Sequence, residues 1–272
     1  MLEAGLSMLL ERTDRIRRSS PKPRSLVEPA RIQMPSYTSS LLAREAVADN
    51  TLAVHFAKPP GFEFRAGQYV DIVLASSPFH DLWGDLRTFS IASAPFEDHL
   101  EFVMRLSHTA FKRALSILPM GTTVALNGPA GTFQLDSGGS QPAVFLAGGV
   151  GIAPFLSMLR QAKHDRSPRP LYLFYSNHEA SDSAYLSELR KHAGDSFLRL
   201  ALIPTITGNA GSDWTGERGR IDAAMLLRHV PAGTHPMYYI AGPSQFVSAM
   251  ISVLAALDVG EADTQIEDFG EF

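Results

Sequence analysis

The feature that most constrains this chain is a change in the rhythm of its apolar residues near residue 138. Before that point apolar side chains recur at every second position in short runs, broken by Gly, Pro, Asp and Asn. Beyond it, short apolar runs alternate with longer stretches of helical spacing. A period of two buries one face of a strand, whereas spacing of three and four residues buries one face of a helix. The two rhythms follow one another instead of mixing, so the chain is expected to divide into an antiparallel β-barrel over 37–138 and a doubly wound parallel-sheet domain over 139–272. Residues 1–36 precede both as an extension, and the 272 residues are enough for two cores.

In the first half the spacing predicts strands at 41–47, 51–56, 68–74, 87–92, 100–105 and 123–127, interrupted by one helix at 109–118 with Phe111, Leu115 and Leu118 on one side. Short strands of this kind suit a small barrel. After Ser137-Gly138-Gly139-Ser140, a composition expected of a flexible boundary, strands are expected at 143–147, 171–175, 198–203 and 237–241. Helices are expected between and after them at 153–163, 181–192, 221–229 and 244–257. Strand–helix alternation requires right-handed crossovers and hence a parallel sheet covered on both faces.

Composition removes several classes of function. There is no cysteine, which excludes disulfides, thiolate nucleophiles, zinc–thiolate sites and cysteine-held iron–sulfur clusters within this sequence. The nine His are scattered singly, so no metal site is expected. A net charge of −4 gives no basic stripe for nucleic acid. No apolar run approaches the roughly 20 residues that span a bilayer. A cytoplasmic protein is expected. Residues 2–16 form an amphipathic run followed by Arg17, Arg18, Lys22 and Arg24, but Glu3, Glu11 and Asp14 oppose a transit segment, so the extension is read as loosely attached.

The residues best suited to chemistry begin with Arg87-Thr88-Phe89-Ser90. Alternation places Arg87 and Phe89 on one face of a strand and Thr88 and Ser90 on the other. A guanidinium, a flat ring and a hydroxyl are the groups a dinucleotide flavin needs for its pyrophosphate, its isoalloxazine and its reactive nitrogen. An ordinary strand with one exposed Arg would carry the same four residues. The segment resembles the R-x-[YF]-S flavin motif of the ferredoxin–NADP reductase family, and it has company. Gly67-Gln68-Tyr69-Val70 resembles the family's G-Q-[YF]-[VL] strand. Thr109-Ala110-Phe111-Lys112 resembles its pyrophosphate helix start, and Gly128-Pro129-Ala130-Gly131 the turn closing its barrel.

In the second half, Gly148-Gly149-Val150-Gly151-Ile152-Ala153-Pro154 follows an apolar strand and opens a helix. Glycines there let the backbone approach an anion at a helix N-terminus, and proline is tolerated in a first helical turn. The stretch resembles the family's G-G-x-G-x-x-P nicotinamide-nucleotide loop. Ser176, Asn177 and His178 end the second strand, where an adenosine ribose is expected. Thr205-Ile206-Thr207 and Trp214-x-Gly216-x-x-Gly219-Arg220 resemble the loop after the third strand, with Trp214 open to reading as a core anchor. Ala241-Gly242-Pro243 stands where the family has C-G-P, so the thiol beside the nicotinamide is missing here. Glu267 and the final Phe272 resemble its E-x-F ending, a terminal ring that either stacks on the flavin or frays.

The resemblance covers about residues 38–272 and implies an NAD(P)H-dependent oxidoreductase with FAD on the barrel, FMN being the poorer match, and NADPH or NADH on the sheet. It implies catalytic roles for Ser90, Glu267 and Phe272, and a separate electron acceptor of ferredoxin, haem or flavin type. A reductase of free flavins or quinones, and a non-catalytic redox sensor, are the alternatives. A fused ferredoxin domain is not expected in these residues.

Overall fold

The computed structural model describes residues 34–270 apart from Ser76, His80, Trp83, Ser137 and Gly138. Residues 1–33 of the extension, the centre of the boundary segment and Phe272 therefore lie outside the described residues.

Alternating apolar residues put six antiparallel strands in the first half: β1 (Ser36–Ala48), β2 (Thr51–Ala57), β3 (Tyr69–Val73), β4 (Leu86–Ser90), β5 (His99–Arg105) and β6 (Thr123–Ala130), in the order β4-β3-β6-β1-β2-β5. The two outer strands meet beyond the end of β4, where Ile91 bridges Phe102 and the Ala92 amide donates to the Glu101 carbonyl. That closure leaves little free edge and encloses Val54, Phe56, Val70, Ile72, Phe102 and Leu126. Helix α1 (Ala110–Ile117) plugs one end, with Phe111, Ala114 and Leu115 in the same core. The Gly128-Pro129-Ala130 stretch is not a closing turn but the last part of β6, where Ala130 still pairs with Tyr69 across a register shift.

The second half is a six-stranded parallel sheet in the order β10-β9-β8-β7-β11-β12. Its central strands are β7 (Ala143–Gly148), β8 (Leu171–Asn177), β9 (Leu200–Ile206) and β11 (Met237–Gly242), with edges β10 (Glu217–Arg218) and β12 (Thr264–Asp268). Helices α2 (Ile152–His164) and α3 (Leu186–Ala193) contribute Leu156, Leu159 and Leu189 to one core, and α4 (Ala223–His229) and α5 (Ser244–Ala255) contribute Met225, Leu226, Val247 and Met250 to the other. β7 shows both faces buried: Phe145 and Ala147 join the first core, Val144 and Leu146 the second. The first core also takes in Ala92, Val103 and Phe133 of the barrel, so the halves share apolar packing.

Three expectations need correction. The helix placed at 181–192 begins at Leu186, because a separate short turn over Ala180–Asp182 ends at Ser183 and Tyr185, the helix cap, sits in the left-handed region at φ 59°. The edges β10 and β12 were not expected; both are short, and β12 turns Ile266 outward. The boundary segment is held at its flanks, since buried Arg169 donates to the carbonyls of Asp136 and Gly139. Among the described residues no helix is long and apolar enough to cross a membrane.

The glycines around β7 do two different things. A Cβ on Gly151 would overlap the Ala241 carbonyl, so this position lets α2 press against β11. Gly149 adopts φ +54° with open space around it. Gly151→Ala is expected to cost up to about 3 kcal/mol by overpacking, whereas Gly149→Ala carries only backbone strain of about 1 kcal/mol. Thermal melts of the two variants check this, the Gly151 variant melting lower.

Candidate functional site

Within β4 the alternation is resolved by contacts. Arg87 and Phe89 both face Phe111, with the guanidinium 5.6 Å from its ring centre and the two rings 5.9 Å apart. Thr88 bonds Asp71 across the ladder, and Ser90 turns toward the second sheet. Phe89 is 8% exposed, so the face expected to meet a flavin is taken in this conformation by Phe102 and Phe111. Tyr69, half-buried, sits directly opposite Ser90 in the β3–β4 ladder and so shares its face.

The start of α1 gathers positive charge. Burial and the neighbouring Arg87 guanidinium both push the Lys112 ammonium below its usual range. Thr109 forms the N-cap, its own side chain making no capping bond. The Ala110 amide instead donates to the Asp81 carboxylate at 2.7 Å, and a second oxygen of Asp81 lies 3.8 Å from Arg87. An anion is thus already held by the helix N-terminus and the guanidinium together. That donor set fits one phosphate of a dinucleotide flavin, with Asp81 standing in for it. Gln68 is placed differently from expectation: its side chain accepts from the Arg65 amide and donates to the Gly131 carbonyl, bonds that brace the barrel.

On the parallel sheet, β7 runs into a tight turn, Gly149–Gly151, and Gly151 caps α2. Pro154 occupies the first turn of α2, where a missing N–H leaves no bond unmade. Val150 packs on the sheet core, leaving the backbone at Gly149 open. Ser176, Asn177 and His178 lie at the carboxyl end of β8. Asn177 is buried beside the Tyr175 hydroxyl, and its amide atoms make no hydrogen bond of good geometry. An amide held this loosely at the carboxyl end of β8 fits a nucleotide that brings donors and acceptors of its own. Thr205 faces the other way, fully buried against Met225; Thr207, two residues on, is the one beside exposed His178. Trp214 is a core anchor, packed on Ile206 and Ala210 and bonded to the Glu217 carbonyl.

The two halves meet at Ser90 and Glu267. β12 runs parallel to β11 with Glu267 level with Ala241, beyond which Gly242 and Pro243 lead into α5. From there Glu267 Oε1 accepts a 2.7 Å bond from the Ser90 hydroxyl, while Oε2 is buried without a partner. Burial pushes the Glu267 carboxyl up to about 7, and the Ser90 bond pulls partly against it. Between the ordinary 4.5 and about 7 the folded chain holds a proton that the unfolded chain has released, so stability falls as pH rises through that window and then stays level. Glu267→Gln in flavin-free protein is therefore expected to gain on the order of 2 kcal/mol at pH 8 and nothing at pH 4, read from melts at both.

A barrel with an anion-holding arginine, joined to a parallel sheet with an open glycine turn, defines a two-domain nucleotide-binding oxidoreductase. The comparisons agree. The family model of an FAD-binding domain matches residues 36–137, and that of an oxidoreductase NAD-binding domain matches residues 145–251. Ferredoxin–NADP reductase B of Sorangium cellulosum is 30% identical over 241 residues, 84% of this chain and 95% of that protein. The propane 2-monooxygenase reductase component of Mycolicibacterium goodii is 29% identical over 219 residues, 78% of this chain. Among the first curated relatives the chain spans about 60% of their length, 61, 57 and 59% in turn. The fold is shared with the FAD/NAD-binding domain of a Vibrio cholerae nitric oxide dioxygenase (TM-score 0.75, 18% identity, 86% of this chain and 98% of that one). It is shared too with a Neisseria gonorrhoeae ferredoxin NADP+ reductase (TM-score 0.71, 21% identity, 87 and 99%). The chain belongs to the ferredoxin–NADP reductase family of FAD- and NAD-binding oxidoreductases.

Proposed function

We propose that this protein takes hydride from NAD(P)H onto FAD and passes electrons to a separate acceptor of ferredoxin, haem or flavin type. The observation that carries the reading is the Ser90–Glu267 bond, which joins the strand of the flavin motif to the last strand of the nucleotide sheet and holds a carboxyl that titrates near neutrality. FAD, when bound, supplies the hydride-accepting and electron-releasing chemistry. The domains are 37–138 for the flavin and 139–272 for the nicotinamide nucleotide, and a cytoplasmic location goes with them.

The protein's own residues do the rest. Arg87 and the Thr109–Ala110 helix start hold the pyrophosphate once Asp81 withdraws, with Lys112 adding charge. Tyr69 offers its ring to the isoalloxazine while Phe89 backs the strand from the barrel core against Phe102 and Phe111, Thr88 and Gln68 keep their strands in register, and Phe272 is the candidate cover for the flavin. Gly148, Gly149, Val150, Gly151 and Pro154 cradle the nucleotide phosphates. Ser176, Asn177, His178 and Thr207 receive the adenosine side, and Ala241, Gly242 and Pro243 flank the nicotinamide. Ser90 and Glu267 hold and move a proton at the junction. The relatives named as the reductase component of propane 2-monooxygenase support an oxygenase as the acceptor.

The test is oxidation of NADH and NADPH by flavin-loaded protein with a ferredoxin, a haem protein, free flavin or a quinone as acceptor. Turnover with a protein acceptor is expected. Turnover with free flavin or quinone alone assigns a small-molecule reductase instead, and none with any acceptor leaves the sensor reading.

A further inference from the structure

Ser157 and Arg160 stand three residues apart on one face of α2, the helix that starts at the glycine turn. Ser157 is fully buried and donates to the Ser93 carbonyl at 2.6 Å. Arg160 donates to the Ala92 carbonyl at 3.1 Å and to the Glu101 carboxylate, and forks onto Glu188 of α3 through two bonds of 2.8 and 2.9 Å. Glu101 of β5 is itself 4% exposed and accepts from the Tyr185 hydroxyl, while its amide donates to the Ser93 hydroxyl oxygen. Glu97 adds a further carboxylate 3.9 Å from the guanidinium. The Arg160 and Glu188 charges are firmly kept. The guanidinium is raised against the pull of burial by its two carboxylates, and Glu188 is held down at about 2 by His192 and Arg160 although burial works the other way.

We propose that Ser157 and Arg160 are positioning residues that fix the nicotinamide loop relative to the flavin strand. The inference rests on the hydride-transfer reading above. Ala92 and Ser93 follow Ser90 by two and three residues, and Ser157 follows the helix cap Gly151 by six, roughly 9 Å along a helix. Donor loop and acceptor strand are therefore tied by two side-chain-to-backbone bonds. Apolar residues packed in place of such buried ions often serve stability as well or better, so what the polar bridge adds is a single register between two rigid elements. Hydride transfer is sensitive to that register, because a displacement of about 1 Å can cost about a hundredfold in rate.

The test compares wild type, Ser157→Ala and Arg160→Lys as flavin-loaded proteins. Lysine keeps the charge but cannot span Ala92, Glu101 and Glu188 at once. Flavin reduction at saturating NADPH or NADH is expected to slow about tenfold in Ser157→Ala and about a hundredfold in Arg160→Lys. Nucleotide Kd should stay within twofold, and the long-wavelength absorbance shared by stacked nicotinamide and flavin rings should weaken. A merely structural role would lower Tm and leave rate and absorbance alone. Wild-type rates and absorbance in both variants, or a loss confined to Kd, overturn the proposal. If wild type itself is not reduced, the hydride-transfer reading falls and the proposal with it. If Arg160→Lys does not fold, Ser157→Ala, which removes one oxygen, decides.

Discussion

Arg87→Ala is expected to purify with little or no flavin and to bind added FAD at least about a hundredfold more weakly than wild type. Hydrogen bonds to charged groups contribute about 1.5–3 kcal/mol each, and a forked guanidinium makes two to a phosphate pair. Two such bonds at the lower figure amount to about 3 kcal/mol, or about a hundredfold in Kd. The loss is held to that order because Lys112 and the Ala110 amide remain, and removing Arg87 relieves one of the two pressures on the Lys112 ammonium. Flavin content per chain and a fluorescence titration of flavin-free protein measure it. Arg228→Ala, whose guanidinium pairs with Glu217 beside the opposite sheet edge, serves as the control with full flavin content. An Arg87→Ala protein as yellow as the control would remove the barrel's anion site from the account.

Ser90→Ala should keep its flavin and lose about a hundredfold or more in the rate of flavin reduction, the scale seen when one prearranged hydrogen-bonding group is taken from a reacting centre. Its hydroxyl links β4 to Glu267. Glu267 sets the pH response. With the carboxyl at about 7, the protonated form that can deliver a proton through Ser90 is lost as pH rises through neutrality, so wild-type turnover is expected to fall over that range. In Ser90→Ala the bond that opposes burial is gone, so any residual activity should fall at a higher pH. Glu267→Gln should show no such step. Because the hydride step itself takes up no proton, steady-state turnover with an electron acceptor across pH 5–9 reads all three, and a wild-type profile superimposable on Glu267→Gln would exclude the carboxyl from proton delivery.

The barrel was legible because period-two apolar runs and Gly- or Pro-rich breaks coincide with its strands: all six occur, β1 starting five residues earlier than its apolar run suggests. β12 was not, since Thr264–Asp268 is polar and forms an edge, so alternation had no buried face to reveal it. Of the site, Arg87 and Ser90 lay in a contiguous motif. The parts that depend on distant partners were hidden: Asp81 meets α1, and Ser157 meets Ser93. Thr205 and Thr207 share one parity, so alternation cannot separate them; β9 ends at Ile206, which leaves Thr205 in the core and lets Thr207, off the strand, turn to His178. Glu267 came from the family resemblance alone, as nothing local marks a carboxylate whose partner is 177 residues away.

The most direct test of the central claim is anaerobic mixing of flavin-loaded protein with NADH or NADPH, plain and deuterated at the nicotinamide C4, while the flavin's visible absorbance is followed. The account expects prompt bleaching by at least one nucleotide, slowed by a primary isotope effect that identifies hydride transfer between the two sheets. Flavin that stays oxidised with both nucleotides, despite full binding of each, would contradict it.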